Sequence, residues 1–433
     1  MLGSLIRRCL LDRRGNVAII FALALVPVIF LAGMAMDFTS ALGKRTLLNA
    51  AADSAALSAV SPAMMNQTVA TAQTTAQNIF MGQASTVAGA NYSAPTVSVT
   101  QNGLTRTATV TYSASSVNSF PSVLKQTAWP ISGSATATAT VPPNIDFYLL
   151  LDNSPSMNIA ATTSGINTMV ANTSAQGGCA FACHESNPAA DGLGNPGGVD
   201  NYTLAKNLSV VTRIENMAAA TQALMSTASA MEAASNAQYR MAIYTFNYSG
   251  TSIIQTLTSN LSTAATAAGN IDVLEVCSNN WLTCSNNNSD TDTNFESAMS
   301  NNNGIMPTPG SGTAGSSPQE VLFLVTDGVD DEISGSCSQP KTGSRCQQPF
   351  DTTWCTTVKN RGILIAVLYT AYLPLPTNSW YNQWIAPFQS QIGPNMQSCA
   401  SPGLYFQVTT DGDITAAMQA LFEQAVATAR LKQ

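Results

Sequence analysis

The apolar run Ile145-Asp-Phe-Tyr-Leu-Leu-Leu151 leads straight into Asp152-Asn-Ser154-Pro-Ser156, and this junction constrains the fold most. The run is short, bounded by polar turn residues, and reads as a buried strand. It delivers one carboxylate and two hydroxyls to its own carboxyl end. Mg²⁺ takes oxygen ligands in near-octahedral geometry at about 2.1 Å, and hydroxyls two residues apart on a tight loop can converge on one point. A strand-to-helix cap uses the same residue types, so the short motif needs company. Two further segments supply it. Thr293-Asn-Phe-Glu-Ser-Ala298-Met299 has a hydroxyl opening a short helix. Val321-Leu-Phe-Leu-Val-Thr326-Asp327-Gly328 is another apolar strand with a carboxylate at its end.

In order and in secondary structure, these elements resemble the metal-ion-dependent adhesion site (MIDAS) of von Willebrand factor A-type (vWA) domains. The resemblance implies that Ser154, Ser156 and Thr293 bind the cation directly. It implies that Asp152 and Asp327 act mainly through coordinated waters. The cation would be Mg²⁺ or a similar ion such as Mn²⁺, with one position left for an acidic side chain of a partner protein.

Only 9% of residues are charged and the net charge is −7. With no basic stripe to pair with phosphates, nucleic acid is excluded as a partner. Arginines gather at the start, at Arg7, Arg8, Arg13 and Arg14, before an uncharged stretch from Gly15 to Met36. Such a stretch spans roughly 33 Å as a helix, enough for a bilayer core. The preceding arginines predict a cytoplasmic N-terminus with the bulk of the chain on the far side. A signal peptide is the rival, and Gly33-Met-Ala35 offers small residues at cleavage-like spacing. The apolar stretch is longer than the h-region of about 7–15 residues that such peptides carry, so a retained anchor is expected.

Cys9 precedes the anchor and eight cysteines follow it, an even number that suits an oxidising compartment. Close spacing suggests Cys179–Cys183, Cys277–Cys284 and Cys337–Cys346, leaving Cys355 with Cys399, although sequence alone does not fix connectivity. Cys179-Ala-Phe-Ala-Cys183-His184 has one residue more than the C-x-x-C-H haem attachment motif. A disulfide-pinned loop tip is the expected reading. His184 is the only histidine, which leaves Ser-His-Asp catalysis little to work with. The chain reads as a non-enzyme. Asp330, Asp331 and Glu332 read as a solvated acidic loop.

Beyond the anchor, Leu47, Leu48, Ala51, Ala52, Ala55, Ala56 and Val60 recur at helical spacing, with Pro62 ending the run. An alanine stripe favours close helix packing, and Pro27 with Gly33 allows a kink. Arg14-Gly15-Asn-Val-Ala-Ile-Ile-Phe-Ala-Leu-Ala-Leu, then Asp37, then Leu47-Leu-Asn-Ala-Ala-Ala-Asp53-Ser-Ala-Ala-Leu57 resembles the TadE/TadG-like segment of tight-adherence (Tad, Flp) pilus assembly proteins. In that family the TadG type carries a vWA domain downstream. Prepilin-like members have Glu at the fifth position after the glycine that precedes cleavage, whereas Ile20 stands there here. Prepilin-peptidase processing is therefore not expected.

The expected organisation is a cytoplasmic basic segment (1–14), a transmembrane helix (15–37), an amphipathic continuation (38–62), a small α/β module (63–141) and a vWA domain (142–433) with an insertion at about 158–208. In the module, segments 96–100, 105–112 and 133–141 read as strands, with Asn102-Gly103 as a hairpin turn. Pro142-Pro143 marks its end. In the vWA region strands are expected at 145–151, 239–246, 252–257, 320–326, 362–369 and 403–408, with helices at 212–234 and 413–430. Alternating strands and helices imply an α/β fold with a doubly wound, mostly parallel sheet. The expected protein is single-pass in a bacterial inner membrane with its bulk periplasmic. It would act as a Mg²⁺-dependent docking component in assembly or anchoring of Tad/Flp pili, its partners being other pilus components. Two alternatives stay open. One is a general vWA adhesion or sensing protein of the envelope. The other is an envelope enzyme or electron carrier using the Cys-His insertion.

Overall fold

The uncharged N-terminal stretch is helical and runs on past Asp37 as one long helix, α1 (Asn16–Ala59), which continues through Pro27. The computed structural model describes residues 16–121, 126–180, 195–235, 237–274, 292–333, 336–342, 345–376 and 379–431. Two units emerge, Met1–Val141 and Pro142–Gln433. By length and composition α1 can cross a membrane.

In the first unit α1 ends before Pro62, which instead opens a short helix, α2 (Pro62–Met65). After it come α3 (Val69–Ala84), capped by the Thr68 hydroxyl, then β1 (Ala90–Tyr92), β2 (Thr96–Asn102), β3 (Thr105–Val117) and β4 (Ala128–Thr140). The strands form one antiparallel sheet in which β3 lies between β2 and β4 and also pairs with β1. The short β1 carries no alternation of its own and was not legible in the sequence. Ala51, Ala52, Ala55, Ala56 and Ala59 of α1 are buried in one core with Ala72, Ala76 and Phe80 of α3 and Tyr112 of β3. The alanine stripe thus lets α1 serve as a core helix of the module. Gly133 shows how close the approach is. A Cβ there would lie 2.3 Å from Asn49 Oδ1 and 2.7 Å from the Tyr112 ring.

The second unit is built on β5 (Ile145–Asp152), β6 (Tyr239–Asn247), β7 (Gly250–Thr258), β8 (Gln319–Thr326), β11 (Leu364–Thr370) and β12 (Tyr405–Val408). Their order across the sheet is β7-β6-β5-β8-β11-β12. All neighbours are parallel except the edge pair β6 and β7. This is the doubly wound α/β arrangement. The residues of β5 alternate between two cores: Phe147, Leu149 and Leu151 on one face, Tyr148 and Leu150 on the other. Helices α6 (Arg213–Ser235), α7 (Leu261–Ala268) and α12 (Ile414–Leu431) cover the first face. Helices α8 (Phe295–Ile305), α9 (Thr353–Asn360), α10 (Ser379–Trp384) and α11 (Gln389–Cys399) cover the second. Strands buried on both faces read as continuous apolar runs, which is why they were visible in the sequence.

Within the expected insertion, two helices, α4 (Thr163–Asn172) and α5 (Asn201–Asn207), pack Ala160, Met169, Leu204, Ala205 and Val210 into a small core of their own. Gln176, Asn195 and Asn201 link the segments with amide hydrogen bonds of 2.7–3.0 Å. The Gly- and Asn-rich composition concealed this packing. Strands β9 (Val329–Ile333) and β10 (Arg345–Pro349) form a separate antiparallel pair.

Candidate functional site

Ligands of open α/β sheets bind beyond the carboxyl ends of the strands, where the strand order reverses. Here that point lies between β5 and β8, whose carboxyl ends carry Asp152 and Asp327. Both aspartates are buried. The Ser154 backbone N–H donates to Asp152 Oδ1 at 2.9 Å, and the Thr326 hydroxyl donates to Asp152 Oδ2 at 2.6 Å. The Thr326 hydroxyl in turn accepts from the Gly328 N–H at 3.0 Å, tying the two strand ends together. Gly328 has φ of 77°, and a Cβ there would meet Ile392 at 2.6 Å. The Thr-Asp-Gly turn therefore requires its glycine twice over.

Ser154 precedes a single 3₁₀ turn (Pro155–Asn158), which brings Ser156 back so that the two hydroxyls lie 3.0 Å apart. The loop is fixed from below by Asn153. Its backbone N–H donates to Phe246 O at 3.0 Å, and its side-chain oxygen accepts from Asn247 at 3.1 Å.

Asp327 Oδ1 accepts from the Val329 N–H at 3.3 Å, while Asp327 Oδ2 is buried without a hydrogen-bond partner among the described residues. Burial pushes the Asp152 carboxyl well above the usual carboxylate range, and the neighbouring charge of Asp327 pushes it further. Burial likewise raises Asp327, with the Ser156 hydroxyl and Arg213 pulling it back. Two adjacent buried carboxyls, one with an orphaned oxygen, are costly unless a positive charge joins them.

Thr293 is held in a two-way backbone pair with Asp331: its N–H donates to Asp331 O at 3.0 Å and its carbonyl accepts from the Asp331 N–H at 2.9 Å. The helix α8 begins after it, at Phe295, with Asn294 as the cap that accepts from the Ser297 N–H. Thr293 thus sits on a bridge ahead of the helix rather than at its first residue. Its neighbour Asp292 lies near enough to Asp327 for that charge to help burial raise its pKa.

The expected solvated acidic loop at Asp330, Asp331 and Glu332 is overturned. Asp330 and Asp331 are buried on β9. Asp330 accepts from the Phe295 N–H at 3.0 Å. Asp331 receives the Arg345 guanidinium, with Nε to Oδ1 at 2.6 Å, and the same guanidinium reaches Asp292 at 3.3 Å. Pairing β9 to β10 drives these side chains inward. Val329-Asp-Asp-Glu-Ile333 carries no alternation that could have shown it, and Arg345 lies on a separate strand.

The disulfides Cys337–Cys346 and Cys355–Cys399 form, with Cα separations of 5.7 and 5.1 Å. The first staples β10 beside Arg345. Cys179 is disulfide-bonded, whereas its expected partner Cys183, along with Cys277, Cys284 and His184, lies outside the described residues. Among the described residues no three His, Cys, Asp or Glu side chains come together as a metal site, so a cation at the strand ends would depend on hydroxyl oxygens. The candidate donors there, two carboxylates and the hydroxyls of Ser154 and Ser156, are all oxygen and suit Mg²⁺.

Residues 15–77 match the family model described as putative Flp pilus-assembly TadE/G-like. The N-terminal segment is TadE/G-like. No curated protein matches the chain in sequence. Among solved structures, the vWF domain of the type V pili tip protein Mfa5 from Porphyromonas gingivalis is similar at 10% identity. That match covers 68% of this chain and 97% of that one, with a TM-score of 0.38. The pilus adhesin SpaC from Lactobacillus rhamnosus GG is similar at 10% identity over 79% of this chain and 34% of that one, TM-score 0.34. The SpRpn10 VWA domain is similar at 8% identity over 65% of this chain and 95% of that one, TM-score 0.32.

Proposed function

We propose that this protein is a membrane-anchored, non-catalytic component of Tad/Flp pilus assembly or anchoring. Its second unit would dock a partner's acidic side chain at a MIDAS-type site. The TadE/G-like segment supports the pilus assignment. The orphaned, buried Asp327 Oδ2 beside Asp152 is the observation that carries the docking reading. Asp152 and Asp327 supply negative charge at the switch point. Ser154, Ser156 and Thr293 supply neutral oxygens. A bound Mg²⁺ or Mn²⁺ would retain positive charge against these neutral ligands and offer a position to a carboxylate. The chain's own part is to hold the hydroxyls in place: the Asn153 hydrogen bonds fix the first loop, and the Asp331 bridge fixes Thr293. The arginines ahead of α1 favour a cytoplasmic N-terminus and a periplasmic second unit in the inner membrane.

The proposal is tested in cells by replacing the chromosomal copy with Asp152→Ala or Thr293→Ala. Surface pili should be lost or greatly reduced in both, with the protein still in the membrane fraction at normal abundance. Unchanged piliation in the Asp152→Ala strain would leave the second unit a passive scaffold.

A further inference from the structure

The buried face of α1 does not stop at its charged boundary. Gly33, Asp37, Ala41 and Leu48 are buried on the helix while the residues around Gly33 and Asp37 are exposed, and their spacing puts them on one side. What covers the N-terminal end of this stripe is Ser119 and Phe120, which follow the end of β3. The Ser119 and Phe120 N–H groups donate to the two Asp37 carboxylate oxygens at 2.7 and 3.2 Å. The Phe120 side chain lies against Gly33, 3.5 Å from where its Cβ would be.

This placement can be measured against the apolar stretch. Asp37 is the first charged residue after Arg14, so the hydrocarbon boundary falls at or before it. About 20 helical residues are needed to cross the core, and counting back from Asp37 leaves little to spare. Gly33 lies one turn inside, about 6 Å along the axis. A side chain resting on Gly33 is therefore below the level of Asp37. Phe120 is also 37% exposed, Val117 at the end of β3 is 44% exposed, and Phe38 beside Asp37 packs edge-on against Trp129 with ring centroids 6.1 Å apart. Amphipathic rings such as that of Trp129 favour the boundary layer of a bilayer, and Phe is among the side chains that insert favourably beyond it. Backbone N–H groups that approach the hydrocarbon need partners because water is scarce, and Asp37 provides them for Ser119 and Phe120.

We propose that the Val117–Phe120 segment, where β3 ends, is a membrane-inserting wedge. Through Phe120 and Val117 it contacts the lipid leaflet where the apolar stretch of α1 ends, near Asp37, seating the module directly on the bilayer. The partner is the lipid itself. The inference rests on α1 being the membrane anchor.

The full chain carrying Phe120→Trp is reconstituted into phosphatidylcholine vesicles, and its emission is compared with that of the parent protein. The added tryptophan should emit at blue-shifted wavelength. It should lose intensity to lipid brominated near the headgroup end of its chains more than to lipid brominated near the chain ends. Aqueous iodide should leave it nearly unchanged. Trp129→Phe reads the same boundary without a new side chain and should remove part of the lipid-quenched signal of the native chain. Quenching by iodide and not by lipid would overturn the wedge, as would quenching by neither, which would mean that protein covers the ring. Flotation of the same samples separates the premises. Protein that fails to float refutes the anchor, whereas protein that floats with an iodide-accessible tryptophan refutes the wedge alone.

Discussion

Glu320 lies at the amino end of β8, far along the strand from the candidate site, and is the least comfortable carboxyl in the sheet. It is buried, one oxygen has no hydrogen-bond partner, and burial lifts its pKa from 4.5 to about 8, with Asp146 adding repulsion and Arg240 and Arg361 opposing it. Protonated in the fold up to about pH 8 but ionised above about pH 4.5 when unfolded, it favours the folded state at acid pH. That stability is lost as pH rises between the two values. Glu320→Gln should therefore leave stability at pH 4 nearly unchanged and raise it at pH 8 by on the order of 1–3 kcal/mol. Thermal melts at both pH values check this, and equal shifts at the two would refute it. Gly328→Ala is the second residue-scale prediction. Positive φ and the contact with Ile392 should together cost about 1–3 kcal/mol, read from a denaturant midpoint of the second unit. Asp152 and Asp327 were legible in the sequence because each ends an apolar strand, and strand ends are visible. Asp331 and Arg345 were not, because their ion pair joins two strands that carry no apolar periodicity.

At the level of elements, α1 has two tasks divided along its length. Its first half is exposed and apolar, and its second half buries an alanine stripe against α3 and the sheet. Helix periodicity showed the stripe. It did not show that the antiparallel sheet would press onto it closely enough to require Gly133. Ala55→Leu should overpack this core and cost about 1–3 kcal/mol, whereas Leu57→Ala, on the exposed side of the same helix, should cost little. Denaturant titration of the two variants separates them, and similar midpoints would contradict the packing. The insertion is the element least legible in sequence. Its small core uses five residues scattered among polar segments, too sparse to produce a period.

For the molecule as a whole, stability of the second unit draws on cross-links as well as on its two-faced core. Cys355–Cys399 joins α9 to α11 across a separation of 44 residues. Removing it by Cys355→Ala with Cys399→Ala should cost about 2–4 kcal/mol, seen as a lowered denaturant midpoint under oxidising conditions, and an unchanged midpoint would count against the bridge. The proposed role of the whole chain, an anchored pilus component that grips a partner's carboxylate, depends on a cation binding at the end of β5 and β8. Calorimetric titration of Mg²⁺ into the detergent-solubilised full chain and into its Asp152→Ala variant measures that directly. The wild type should bind one ion and melt at a higher temperature with it, and Asp152→Ala should lose both effects while keeping the fold. Equal Mg²⁺ affinity in the two proteins, or no binding to either, would contradict the docking site.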